Sequence, residues 1–135
     1  MKLVIAGGRD YVGTLEDLKM IKEAIIKYNI TEIVSGTQKG GDRYRFGEDC
    51  ASLLDIPVQP FPADWDDITV PGAIIRHRED GSWYNANAGP DRNRKMAEYT
   101  DYVFLLPGGK GTASMRREAR VAGKKIIYDN GWIDG

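Results

Sequence analysis

Cysteine and histidine are nearly missing from this chain: one of each, Cys50 and His77, stands among 135 residues. A lone cysteine excludes an internal disulfide framework and a cysteine-built zinc site, and it suits a reducing compartment. A lone histidine excludes a multi-histidine metal centre and leaves any histidine-dependent triad to His77 itself, so no metal is expected. An excess of charge of either sign is missing too. With 19 basic and 20 acidic residues the net charge is −1, and no global field recommends a nucleic acid or a membrane surface as partner. No apolar run approaches the length of a bilayer span, and Met1-Lys2 leads straight into a short strand-like segment without a charged-then-apolar leader. The expectation is one soluble domain over residues 1–135, with no membrane partner.

What is present alternates. "KLVIA" (Lys2 to Ala6) is a β-branched run ended by Gly7-Gly8. "TLEDLKMIKEAIIKYN" carries a helical stripe through Leu15, Leu18, Ile21, Ile25 and Tyr28, with Thr14 as N-cap and Asp17 three residues on. "TEIVSG" predicts a second strand, "GDRYRFGEDCASLLD" a second helix, and "IPVQPF" an edge strand marked by Pro57 and Pro60. "DYVFLLP" predicts the most apolar strand, "TASMRREARVAG" a helix closed by Gly123, and "KKIIYD" a fifth strand. Strand and helix in alternation with short connections define βαβ units. The fold class expected is therefore α/β, Rossmann-like, with a mostly parallel five-stranded sheet and helices on both faces. One stretch, about 66–88, departs from that rhythm. Its Asp80-Gly81 between two short segments signals a β-hairpin excursion ahead of a helix from about Asp91 to Tyr99.

In such a sheet, ligands bind where the carboxyl ends of strands meet the following helix N-termini. Three glycine loops fall there: "GGRD", "SGTQKGGD" and "PGGKGT". Glycine admits a ligand close to the backbone, and free amides with the helix dipole favour an anion such as phosphate. Neither G-x-x-x-x-G-K-[ST] nor the spacing of G-x-G-x-x-G occurs, so a nucleotide held here is held by a different loop.

"PGGKGT" after "RNRKMAEYTDYVFLL" resembles the signature of the SLOG superfamily, which groups the LOG "lysine decarboxylase-like" proteins with the DNA-processing DprA/Smf proteins. Together with "VIAGGRDY", "SGTQKGGDRYRFGEDCA", "FPADW", "AGPDRNRKMAEYTD" and "GGKGTASMRREAR" it looks like the YspA-like branch of bacteria and phages. The hairpin and the C-terminal "DNGWIDG" lie outside the resemblance. It implies a Rossmann-like fold, a nucleotide or nucleotide-derived ligand with no other cofactor, and residence in the cytoplasm of a bacterium or a phage-infected host. Some LOG relatives cleave the N-glycosidic bond of a nucleoside monophosphate. Their arginine position falls on Arg92, but the lysine after it is Asn93, and the two glutamates of P-G-G-x-G-T-x-E-E fall on Ser114 and Met115. Glycosidic cleavage needs a carboxylate that neither supplies. Binding by a sensor or sequestering protein is therefore the leading function. The alternative is a nucleotide N-glycosidase, phosphoribohydrolase-like, with a relocated carboxylate (Glu118, Asp42 or Asp10) and Arg92 as the catalytic candidates.

The site expected comprises Gly7, Gly8, Arg9 and Asp10 after the first strand; Ser35, Gly36 and Thr37 after the second; Arg92 and Asn93; and Gly108, Gly109, Gly111 and Thr112. Arginine suits bidentate phosphate contacts and asparagine a base edge, while Thr112 can cap its helix. Gly40, Gly41 and Asp42 read rather as a helix start. Single-stranded DNA binding by analogy with DprA is disfavoured by the slightly acidic balance. A second copy of the chain is a candidate partner, with the hairpin as interface or as lid. Trp65, Trp83 and Tyr84 are expected to pack the hairpin against the domain, His77 to lie on the surface, and Cys50, Met96 and Met115 to be core.

Overall fold

The computed structural model describes residues 1–7, 13–36, 46–61 and 63–129. Along the chain run β1 (Lys2–Ala6), α1 (Leu15–Tyr28), β2 (Glu32–Ser35), α2 (Phe46–Leu53), β3 (Val58–Pro60), β4 (Ile75–His77), β5 (Trp83–Asn85), α3 (Ala88–Tyr99), β6 (Tyr102–Leu105), α4 (Lys110–Val121) and β7 (Lys125–Asp129). Five strands form one sheet in the order β3-β2-β1-β6-β7, and every pairing in it is parallel. This is the α/β, Rossmann-like architecture expected. β4 and β5 form the separate antiparallel hairpin.

Alternation along the strands builds two cores. Leu3, Ile5, Ile33 and Phe104 face α1 and α2, meeting Ile21, Cys50 and Ala51. Val4, Val34, Val103 and Leu105 face the other way, onto Met96 and Ala97 of α3 and Met115 and Ala119 of α4. Each fully buried Leu, Ile, Val or Phe contributes roughly 1.5–3 kcal/mol, and a one-residue register slip would exchange the two sets. Pro57 and Pro60 are tolerated because β3 is an edge. Among the described residues no helix is long and apolar enough to cross a membrane.

Two helix starts differ from expectation. α3 begins at Ala88, so Gly89 and Pro90 lie in its first turn, where a proline lacks no needed N–H. α4 begins at Lys110, so Thr112 is a buried residue inside the first turn and the N-cap is Gly109. The hairpin turns through Gly81 at a φ of 87°, with Gly81 N donating to the Arg78 carbonyl at 3.0 Å. Trp65 packs inward on α3, whereas Trp83 is 54% exposed and stacks on His77 at 3.7 Å. The packing expected of all three aromatics therefore holds for Trp65 and fails for Trp83, because the hairpin pairs its two short strands only with each other.

Candidate ligand site at the carboxyl edge

Strand order reverses between β1 and β6, since the chain first builds outward through β2 and β3 and then returns to the other side of β1. In open α/β sheets the crevice outside that point is where ligands bind. Gly7 lies at this crevice: a Cβ on it would stand 3.3 Å from the Leu106 Cβ and 3.7 Å from the Pro107 carbonyl. The β6 loop then runs through Gly108 and Gly109 into α4. Among the described residues no side chain caps this helix, and a Cβ placed on Gly109 or Gly111 would meet nothing within 4 Å. Neither glycine has a positive φ that would demand it. Packing among the described residues and backbone geometry thus leave both unexplained, and against those residues they preserve open space beside the first-turn amides.

Arg92 lies on the neighbouring flank. Its Nη1 donates to the Gly36 carbonyl, just past β2, and more distantly to the Phe61 carbonyl at 3.5 Å, just past β3. Gly36 has to be small for this: a Cβ there would stand 2.7 Å from Nη1. Burial pushes the Arg92 pKa below its ordinary value, although an arginine so shifted remains a cation at neutral pH. Among the described residues no carboxylate pairs with it. A desolvated cation whose described partners are carbonyls and an amide favours an incoming anion.

Asn93 joins the two flanks. Its Oδ1 accepts from Arg92 Nε at 2.9 Å, and its Nδ2 donates to Ser114 Oγ at 3.1 Å and the Gly111 carbonyl at 3.3 Å. The side chain is 5% exposed, and these contacts fix the arginine against the start of α4. Sequence reasoning cast Asn93 as a reader of a base edge; its amide is committed within the protein, and it acts as a positioning residue for Arg92. Ser35 Oγ donates to Glu48 Oε1 at 3.1 Å, tying the end of β2 to α2.

The structure thus brings together Gly36, Arg92, Asn93 and Gly111, and separately Gly7 with Pro107. Gly8, Arg9, Asp10, Thr37, Gly40, Gly41 and Asp42 lie outside the described residues. Of the carboxylate candidates, Glu118 is eight residues along α4 from Lys110, about 12 Å of helical rise. Met115 is 1% exposed in the core.

Sequence reasoning missed a pocket on the β3 side of Arg92. It measures about 240 Å³ and lies between the 61–70 segment and one stripe of α3, Ala88, Asp91, Arg92 and Lys95. That i, i+3, i+4, i+7 spacing was readable, but the segment covering the stripe was not. Asp91 within it is bonded to Arg94 at 2.8 Å, the main reason its pKa is lowered, and to Lys95 at 3.2 Å.

No protein-family model matches this chain, and no curated protein or solved structure matches it either. The fold and edge together define the class: a parallel, Rossmann-like α/β domain with a cationic, glycine-lined crevice at its switch point.

Proposed function

We propose that this chain is a SLOG-type domain of the YspA-like branch that binds a nucleotide or nucleotide-derived small molecule, as a cytoplasmic sensor or sequestering protein. One observation carries the reading: a helix start opened by two glycines, uncapped among the described residues, is tied through Asn93 to a desolvated arginine that has no carboxylate partner among them. The ligand's phosphate sits on the amides from Gly109 to Thr112, where the helix dipole and Arg92 both favour negative charge. Its ribose extends past Gly7 and Gly36.

Binding without cleavage is favoured by the identity and burial of residues 114 and 115. Ser114 is committed to Asn93, Met115 is core, and Glu118 stands two turns down α4 from the proposed phosphate. The test is a thermal-shift screen against nucleoside monophosphates, ADP-ribose, NAD, cyclic nucleotides and ribose 5-phosphate, with each mixture then examined by mass spectrometry. A raised Tm with the ligand recovered intact is expected, because a ligand that binds only the native state stabilises it. Recovery of free base and sugar phosphate would show an N-glycosidase instead.

A further inference from the structure

The pocket beside Arg92 is braced open. Trp65 wedges against α3, where a Cβ on Gly89 would stand 2.8 Å from the indole, so the 61–70 segment is held off the helix. Asn85, only 4% exposed, fixes the other end. Its backbone N donates to the Trp65 carbonyl at 2.7 Å, and its Oδ1 accepts from Ile74 N at 3.0 Å and Asn87 N at 2.9 Å. Two backbone donors on one side-chain atom identify that atom as the oxygen and set the amide's orientation. Nδ2 is thereby the other atom, and among the described residues it meets no acceptor, although Asn85 lines the pocket. The residue is buried but Nδ2 itself is open to solvent through the pocket, so a ligand acceptor placed there takes over a hydrogen bond otherwise made to water.

The remaining walls suit a flat ring. Phe61, Ala63, Val70 and Ala88 are apolar, and Asp64 and Asp67 bring carboxylates to the lining. Asp67 Oδ1 is taken by Thr69, from N at 3.0 Å and Oγ1 at 2.7 Å, while among the described residues Asp64 has no donor. A volume of about 240 Å³ lies below the roughly 300 Å³ at which pockets for whole drug-sized ligands begin, so it takes one ring system. Resting on the nucleotide reading above, we propose that this pocket receives the base, and that it selects rings with a carbonyl beside a ring N–H (hypoxanthine, guanine, uracil) over rings with an amino group there (adenine, cytosine). The carbonyl accepts from Asn85 Nδ2, the ring N–H donates to a pocket carboxylate, and Arg92 lies between base and phosphate.

Calorimetric titration of the full chain with inosine and adenosine 5′-monophosphates, uridine and cytidine 5′-monophosphates, and ribose 5-phosphate tests this. The oxo member of each pair is expected to bind about tenfold tighter than its amino counterpart, the scale of a hydrogen bond exchanged for an unpaired polar group. Asn85→Asp keeps an oxygen for the two backbone donors and turns the pocket-facing donor into an acceptor; it is expected to abolish the preference with ribose 5-phosphate affinity unchanged. Should that variant fail to fold, Asp64→Asn on the exposed rim is expected to reduce the preference several-fold. Ribose 5-phosphate binding without an oxo preference, or an oxo preference unmoved in the folded variants, would overturn the base pocket and leave the phosphate site standing. Absence of ribose 5-phosphate binding would overturn both.

Discussion

Two helices leave the carboxyl edge on either side of the strand reversal, and their first turns are built in opposite ways. α1, which follows β1, is sealed. Thr14 Oγ1 accepts from Asp17 N at 3.1 Å, Asp17 Oδ2 accepts from Thr14 N at 3.1 Å, and Glu16 and Asp17 set negative charge against the dipole. α4, which follows β6, has glycine as its N-cap, no side-chain cap and no acidic residue in its first turn. A capping box satisfies two of the four orphan donors, and the acidic side chains complement the dipole and repel an anion, so the first helix has little left to offer one. The second keeps its amides and its positive end. Equivalent positions in one fold are thus capped in one case and left open in the other, and on the proposed reading the glycines of "PGGKGT" mark the one that recognises a ligand.

Giving α4 the chemistry of α1 has the largest expected effect. Gly109→Asp places a capping carboxylate where a Cβ meets nothing within 4 Å. It is expected to leave the Tm unchanged or slightly raised, because Asp exceeds Gly as an N-cap by only a few tenths of a kcal/mol. Calorimetry should nonetheless show at least a hundredfold loss of ribose 5-phosphate affinity, about 2.7 kcal/mol. Removing the cation is next in size. Arg92→Ala should weaken phosphate-bearing ligands by about 1.5–3 kcal/mol, the worth of a charged hydrogen bond. It should also lower the Tm, since the Gly36 and Phe61 carbonyls and the Asn93 amide lose a donor.

The converse change belongs to α1. Thr14→Ala is expected to cost about 1 kcal/mol of stability in urea unfolding, with no change in ligand affinity. The smallest effect lies beneath the sealed helix. Cys50 is held in its neutral form, its pKa pushed up to about 11 by burial first and then by Asp49 and Asp17. Alkylation of the native protein by iodoacetamide at pH 8 should be negligible. The unfolded thiol ionises first, near 9.0, so this group's contribution is whole below that pH and declines as pH rises toward 11.

Much of the frame was legible in the sequence because it rests on local chemistry. The apolar runs of β1 and β6, the Thr14/Asp17 box and the Asp80-Gly81 turn each state their structure within a few residues. Local reading misled where punctuation was read as a break. Gly89-Pro90 resembles a turn, yet Pro90 fits the first turn of α3 and Gly89 is small because an indole 24 residues earlier lies against it. Gly111 likewise lies inside the first turn of α4, and Gly109 is its N-cap rather than part of a preceding turn. The site was legible as a set of loops and not as contacts. That Arg92 reaches the carbonyl of Gly36, 56 residues away, and that the Asn93 amide is committed to α4, depend on how distant segments pack. The pocket between α3 and the 61–70 segment is a property of that packing alone.

A nitrogen-15 NMR titration with ribose 5-phosphate, following backbone amides at both helix starts, decides whether α4 alone receives the phosphate. Large saturable shifts are expected at Lys110, Gly111 and Thr112, and none at Leu15, Glu16 and Asp17. Shifts of equal size at the two helix starts, or none at α4, would contradict that placement of the phosphate.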